Sequence, residues 1–249
     1  MKKTVWALAL TASFVSTQAG ADVMGLYAGA QAWQVDTSGN FGSTNTRADF
    51  AFDENTQGVF YVAVEHPVPL LPNVKIRHND LAANGNTMVS GQFSFGGTDY
   101  AAGSSLSTSF DVTNTDFILY YEIFDNDLFS IDLGANIKYL DGDINVRDAR
   151  GNASSEKLSA PLPLGYLKAE AALPLTGLSV FGEVNYLTLD GHEIADYQAG
   201  VGYNLIDTVA VNINLHAGYR AMSVQLDDLD NIDAKLDFDG GFVGAEIHF

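Results

Sequence analysis

Residues 129–140, FSIDLGANIKYL, alternate between apolar and polar side chains. Phe129, Ile131, Leu133, Ala135, Ile137 and Tyr139 fall on one face of an extended strand. Ser130, Asp132, Gly134, Asn136, Lys138 and Leu140 fall on the other. The same period of two recurs at 209–219, with Val209, Val211, Ile213, Leu215, Ala217 and Tyr219 opposite Asn212, Asn214, His216 and Gly218. It recurs again at 117–123 and 197–205, whereas helical periodicity is missing throughout. The pattern predicts strands at 23–35, 57–66, 73–82, 109–124, 128–147, 158–173, 178–190, 193–205, 208–226 and 234–249.

Connections decide what these strands build. Short links, PVPLLP (67–72), DND (125–127), PLTG (174–177) and ID (206–207), alternate with longer polar stretches at 36–56, 83–108, 148–157 and 227–233. Only the short link around Asp190 and Gly191 departs from this order. Tight turns at one end and long loops at the other are expected of a transmembrane barrel, not of a soluble sandwich. Length agrees: Phe129 to Tyr139 spans ~33 Å of strand, which rises ~25 Å when tilted, the height of a barrel's apolar band. Closure also leaves no unpaired edge in lipid. The expected fold is all-β, a transmembrane antiparallel up-and-down β-barrel of about ten strands, with eight as the alternative. Phe129, Ile131, Leu133, Ala135 and Ile137 then touch lipid.

The first residues read differently. MKK, the apolar TVWALALTASFV and the small-residue site Ala19–Gly20–Ala21 form a secretory signal peptide over 1–21, leaving a barrel domain over 22–249. Lys2 and Lys3 leave with it, so the net charge of −19 becomes −21. That charge excludes nucleic acid as a partner. Cysteine is absent, which suits passage through an oxidising compartment and excludes thiolate metal sites.

The C-terminal GGFVGAEIHF places Val243, Ala245, Ile247 and Phe249 on one face. This resembles the signal by which bacterial outer-membrane barrels are recognised for insertion. The whole of 22–249 looks like a small outer-membrane β-barrel of Gram-negative bacteria, and EHPVPLLPN within 60–76 is similar to a segment of a poorly characterised family of such barrels. The resemblance implies location in the outer membrane, contact with its lipid and with the insertion machinery, and no catalytic residues.

With the lipid faces so assigned, the lumen receives Glu65, Glu122, Asp132, Glu170, Glu183 and Glu246. It also receives Lys75, Arg77, Lys138, Lys168 and Arg220, together with His216 and His248. Near-balance inside so acidic a chain points to luminal ion pairs, because an unpaired charge in a narrow interior costs several kcal/mol. A ring of charges lining a narrow cation-favouring pore is the alternative, and a barrel of this width is otherwise filled by side chains. Candidates for catalysis are thin: Asp190–His192–Glu193 and His78–Asp80, with His66 structural. No metal-ligand spacing of His appears and no cofactor is expected. The acids of 225–241 (Asp227, Asp228, Asp230, Asp233, Asp237, Asp239) could meet divalent cations at the outer loops, although their spacing is not that of a calcium loop.

Overall fold

The computed structural model describes residues 24–43, 46–126, 128–189, 191–208, 210–229 and 231–249. The leader at 1–21, the cleavage point before Asp22, and Asp190 and Asp230 lie outside them.

Chain order is β1 (Gly25–Gly42), β2 (Ala48–Asp49), β3 (Ala51–Phe52), β4 (Asn55–Glu65), β5 (Asn73–Asn79), β6 (Ala82–Met88), β7 (Phe93–Phe95), β8 (Thr98–Tyr100), β9 (Ser105–Asp125), β10 (Phe129–Asp148), β11 (Ala153–Leu173), β12 (Leu178–Leu189), β13 (His192–Asp207), β14 (Asn212–Leu229) and β15 (Ile232–His248). Ten of them, β1, β4, β5 and β9 to β15, form a closed antiparallel ring in which each pairs with its neighbours in sequence and β15 returns to β1. The seam holds to the last residue, since Leu26 and Phe249 exchange both backbone hydrogen bonds. The fold is a ten-stranded transmembrane up-and-down barrel.

Short turns gather at one end, here called the turn end, where both described termini also lie. At the other, tall end the structure corrects the sequence reading. The polar stretches 36–56, 83–108, 148–157 and 227–233 are mostly strand, not loop. β1 runs on to Gly42, β9 begins at Ser105, β10 and β11 extend to a tight turn near 150, and β14 and β15 extend to Leu229 and Ile232. The reason is visible on β10. Outward residues are apolar from Phe129 to Tyr139 and then become Asp141, Asp143, Asn145 and Arg147. Inward residues are polar up to Lys138 and then become Leu140, Ile144 and Val146. Alternation never stops; it changes phase.

The inversion is repeated around the ring. On β9, outward Ser107, Ser109 and Asp111 give way to Phe117, Leu119 and Tyr121, while inward Phe110 and Val112 give way to Asn114 and Asp116. The outward apolar belt includes Phe60, Val62, Leu133, Val201, Leu215 and Val243, all well exposed. Tyr139, Tyr186, Tyr197 and Tyr219 mark its edge toward the tall end, as amphipathic rings do at a membrane surface.

Candidate functional site: a three-level interior

The lumen has three levels of different chemistry. The lowest, at the turn end, is polar. The Tyr61 hydroxyl donates to Glu246 and the Tyr120 hydroxyl to Glu65, each at 2.7 Å. Tyr61 can reach over β1 to Glu246 because Gly29 lies between them, where any Cβ would overlap its ring. Gln31 Nε2 and His216 Nε2 are 3.0 Å apart, Lys168 lies 3.5 Å from Glu170, and Tyr27 stacks on His248 at 4.1 Å. Asp132 stands opposite Lys168 on β11 and Glu122 on β9. A cavity of about 60 Å³ opens here, and Ser179 Oγ and Gln198 Oε1 are buried beside it without a partner among the described residues. Polar walls and this volume suit water.

The middle level is a plate of buried charge. Asp196 on β13 accepts from Arg220 Nε at 2.9 Å and Nη2 at 2.8 Å, a two-pronged contact with the adjacent strand β14. Lys138 Nζ reaches Asp116 at 2.9 Å and Asp196 at 3.2 Å. Arg77 Nε donates to Asp116 at 2.8 Å, and its Nη1 donates to Glu183 on β12. Lys75 binds the other oxygen of Glu183 at 2.9 Å. Amides fill the gaps: Asn136 donates to Asp116 and Asn185, and Asn79 accepts from Arg220 Nη1 at 2.8 Å. The Arg220 guanidinium lies 4.6 Å over the Trp33 ring. Arg77, Asp116, Asn136, Lys138, Glu183, Asp196 and Arg220 are each at most 3% exposed. Strands from every side of the ring contribute, so the plate crosses the whole section.

Above the plate the interior turns apolar. Trp33, Val35, Leu106, Phe110, Leu140, Ile144, Leu158, Met222, Leu236 and Phe238 belong to one buried cluster. The β7–β8 hairpin folds onto it from the tall end. Phe93 and Phe95 pack edge-on against Phe41, and Tyr100 bonds Ser154 Oγ at 2.7 Å. Its turn, Gly96–Gly97, takes positive φ at both residues, the geometry that favours a two-residue hairpin.

Of the residues assigned to the lumen from the alternation, Arg77, Asp132, Lys138, Glu183 and Arg220 are buried. Lys75, Lys168, Glu170, His216 and Glu246 line the turn-end cavity, Glu65 and His248 are half-buried, and Glu122 is exposed. The ion-pair network does not fill the barrel. It is densest in the plate, reaches down to the Lys168–Glu170 pair and stops below an apolar level, because the wall beyond the belt faces water on its outside and needs an oil-like core. Two charged members of the plate were not singled out from the sequence, Asp116 and Asp196, and both accept more than one cation. Asp116 is in phase with Glu122, which the alternation assigns inward, and Asp196 stands on the face opposite Tyr197 at the start of the alternating stretch 197–205, so the alternation carried the signal.

Asp190 lies outside the described residues, and the other catalytic candidates make local contacts. His78 and Asp80 lie on the outward face, 3.5 Å apart and about half exposed. His192 Nδ1 accepts from the Asp227 amide, Glu193 accepts from Tyr186, and His66 closes its own turn against Pro72. The described acids of 225–241, Asp227, Asp228, Asp233, Asp237 and Asp239, are on β14 and β15. Among the described residues no three His, Asp or Glu are grouped to hold a metal ion.

No protein-family profile matches the chain, and no curated protein resembles it in sequence. Among solved structures it is similar to the outer-membrane protease OmpT of Escherichia coli, at 10% identity over 90% of this chain and 96% of that one, with a TM-score of 0.48. It is also similar to the translocator domain of the autotransporter NalP of Neisseria meningitidis (10%, 91% and 88%, 0.44) and to the attachment invasion locus protein Ail of Yersinia pestis (10%, 90% and 99%, 0.37). Overlap at this level says nothing about activity, and the function has to be read from the residues.

Proposed function

We propose that the chain is a sealed barrel of the Gram-negative outer membrane that serves at the cell surface in a structural or interaction role. The belt faces lipid, the turn end faces the periplasm, and the tall half projects outward. The plate is the observation that carries this reading. A conducting pore keeps its luminal charges hydrated, whereas these are paired, buried and capped by a second, apolar level. The proposal assigns the chain no reaction and no cofactor.

Partners follow from the surfaces. Membrane lipid meets the belt. The insertion machinery meets the C-terminal strand through Val243, Ala245, Ile247 and Phe249, which share its outward face. Divalent cations meet the acidic exterior of the tall half diffusely, as counter-ions. Residues 1–21 are removed on export, so the mature chain begins at Asp22. Deleting Phe249 is expected to reduce insertion while leaving export intact, measured as the ratio of outer-membrane to periplasmic protein.

Planar-bilayer recording of the refolded chain tests the seal. The expected trace is flat; a steady ohmic current in the unmodified protein would replace this reading with that of a pore.

A further inference from the structure

The turn-end cavity reaches bulk solvent at its lower rim. Side-chain exposure falls along its wall, from 31% at Lys168 and Glu170 to 12% at Lys75 and at most 3% at Arg77 and Glu183. Within the plate, Lys138 and Asp116 are sealed from solvent altogether.

The two buried polar atoms without a partner among the described residues stand at opposite ends of this cavity. Ser179 pairs with Gly202 near the turn end, whereas Gln198 pairs with Glu183 in the plate, four residues further along β12. Four residues are ~13 Å of strand. A hydrogen-bonded file of that length takes about four waters at ~2.8 Å a step. The cavity, at about 60 Å³, has room for about that number. Gly202 keeps its lower part clear, since a Cβ there would come within 2.6 Å of Ser179 Oγ and 3.0 Å of Asn214 Oδ1.

The lining decides the occupant. Lys75, Arg77 and Lys168 face Glu170, Glu183 and Glu246, three cations against three anions, so a bound ion would meet no net opposite charge. An apolar molecule would leave the buried hydroxyl and amide oxygen unsatisfied. What fits is a small neutral molecule that donates to Gln198 Oε1 and accepts from Ser179 Oγ, and water does both.

We propose that the lower lumen is a hydrated dead end. A file of bound water enters at the turn end, bridges Ser179 to Gln198 and stops at Arg77 and Glu183. Water and protons from the turn-end side thus reach the lower face of the plate and not the apolar level above it. The file rests on the cavity and its two polar ends; the closed upper limit rests on the sealed-barrel reading.

Radiolytic hydroxyl-radical labelling of the full chain in lipid nanodiscs tests it, because radicals formed on bound water oxidise the side chains beside it. His216 and Tyr61 line the cavity, Met222 belongs to the buried apolar cluster, and Met24 is exposed. Mass spectrometry is expected to find oxidation at His216, Tyr61 and Met24 and none at Met222, although a thioether oxidises more readily than either ring. Ser179→Ala combined with Gln198→Leu removes both polar ends at nearly constant volume and should bring His216 to background while Met24 keeps its rate. Gly202→Val, which fills the space beside Ser179, serves if that variant loses its cooperative thermal transition. Unoxidised His216 and Tyr61 beside an oxidised Met24 would overturn the file. So would oxidation of His216 that survives the loss of both polar ends. Oxidation of Met222 together with His216 would overturn the dead end. A steady bilayer current would contradict the seal without bearing on the two polar ends, so the file and the sealed-barrel reading fail separately.

Discussion

The lower and upper halves of β10 use one backbone and one alternation to opposite ends. From Phe129 to Tyr139 the strand is apolar outside and polar inside; from Leu140 to Asp148 it is polar outside and apolar inside. What differs is the solvent beyond the wall. Where the outside is hydrocarbon, apolar side chains are stable there, and the interior has to pair its own charges because it is shielded from bulk water. Where the outside is water, the hydrophobic effect reverses the assignment and the interior becomes an ordinary packed core. The face of a strand is therefore not polar or apolar by itself; its level along the barrel axis decides.

Breaking the plate should have the largest effect. Asp196→Ala leaves Arg220 and Lys138 without their shared carboxylate in a buried setting, at a cost of about 3–5 kcal/mol in urea unfolding from bilayers. A loss below about 1 kcal/mol would mean that water reaches the plate.

Next comes a pair of substitutions on the same strand and the same face. Leu133→Arg puts a charge in the middle of the belt and should cost about 2–4 kcal/mol. Asp143→Arg, further along that face, should change stability by no more than about 0.5 kcal/mol. Equal costs at the two positions would contradict the change of solvent between them.

A smaller effect sharpens the claim that the upper interior is a packed core. Ile144→Val removes one methylene from it and should cost about 0.5–1.5 kcal/mol by the same unfolding measurement. No change there would indicate a loose, water-filled upper chamber.

The smallest effect concerns the β10–β11 turn at the tall end. Burial opposes ionisation of the Asp148 carboxyl, but hydrogen bonds from the Asn152 side chain and from the Asn152 and Arg150 amides outweigh it and hold the group below the ordinary carboxylate range. Its folded value is depressed, so the turn's stability is present above the unfolded value, about 3.9, and is lost as pH falls through the folded one. The Asn152 amide resonance should therefore titrate with a midpoint below about 3.9, and Asp148→Asn should remove that titration.

Most of the wall could be read from the sequence because period two is a local signal that survives without tertiary context. All ten staves, their inward faces and the short turns followed from it. The level at which the faces invert was also written in the chain, in Leu140 on a polar face and Asp141 after a tyrosine on the apolar one. A strand read in isolation carries no mark of where lipid ends, so these residues looked like strand ends running into loops. The inner hairpin was legible too: FSFGGTDY is an alternating pair of strands around Gly-Gly, hidden inside a stretch read as one long loop. Partners in the plate were not legible. Arg77 meets Glu183 across the lumen, 106 residues away, and only ring closure decides which inward side chains share a level.

The inversion itself can be measured on β10. The chain has no cysteine, so single cysteines at Leu133, Ile137, Asp143 and Arg147 can each carry a nitroxide on one outward face in a lipid bilayer. Relaxation by oxygen, which concentrates in hydrocarbon, is compared with relaxation by a water-soluble nickel chelate. Positions 133 and 137 are expected to respond to oxygen and positions 143 and 147 to nickel, with the crossover between Tyr139 and Asp141. Oxygen dominance at 143 and 147, or nickel dominance at 133, would contradict the account.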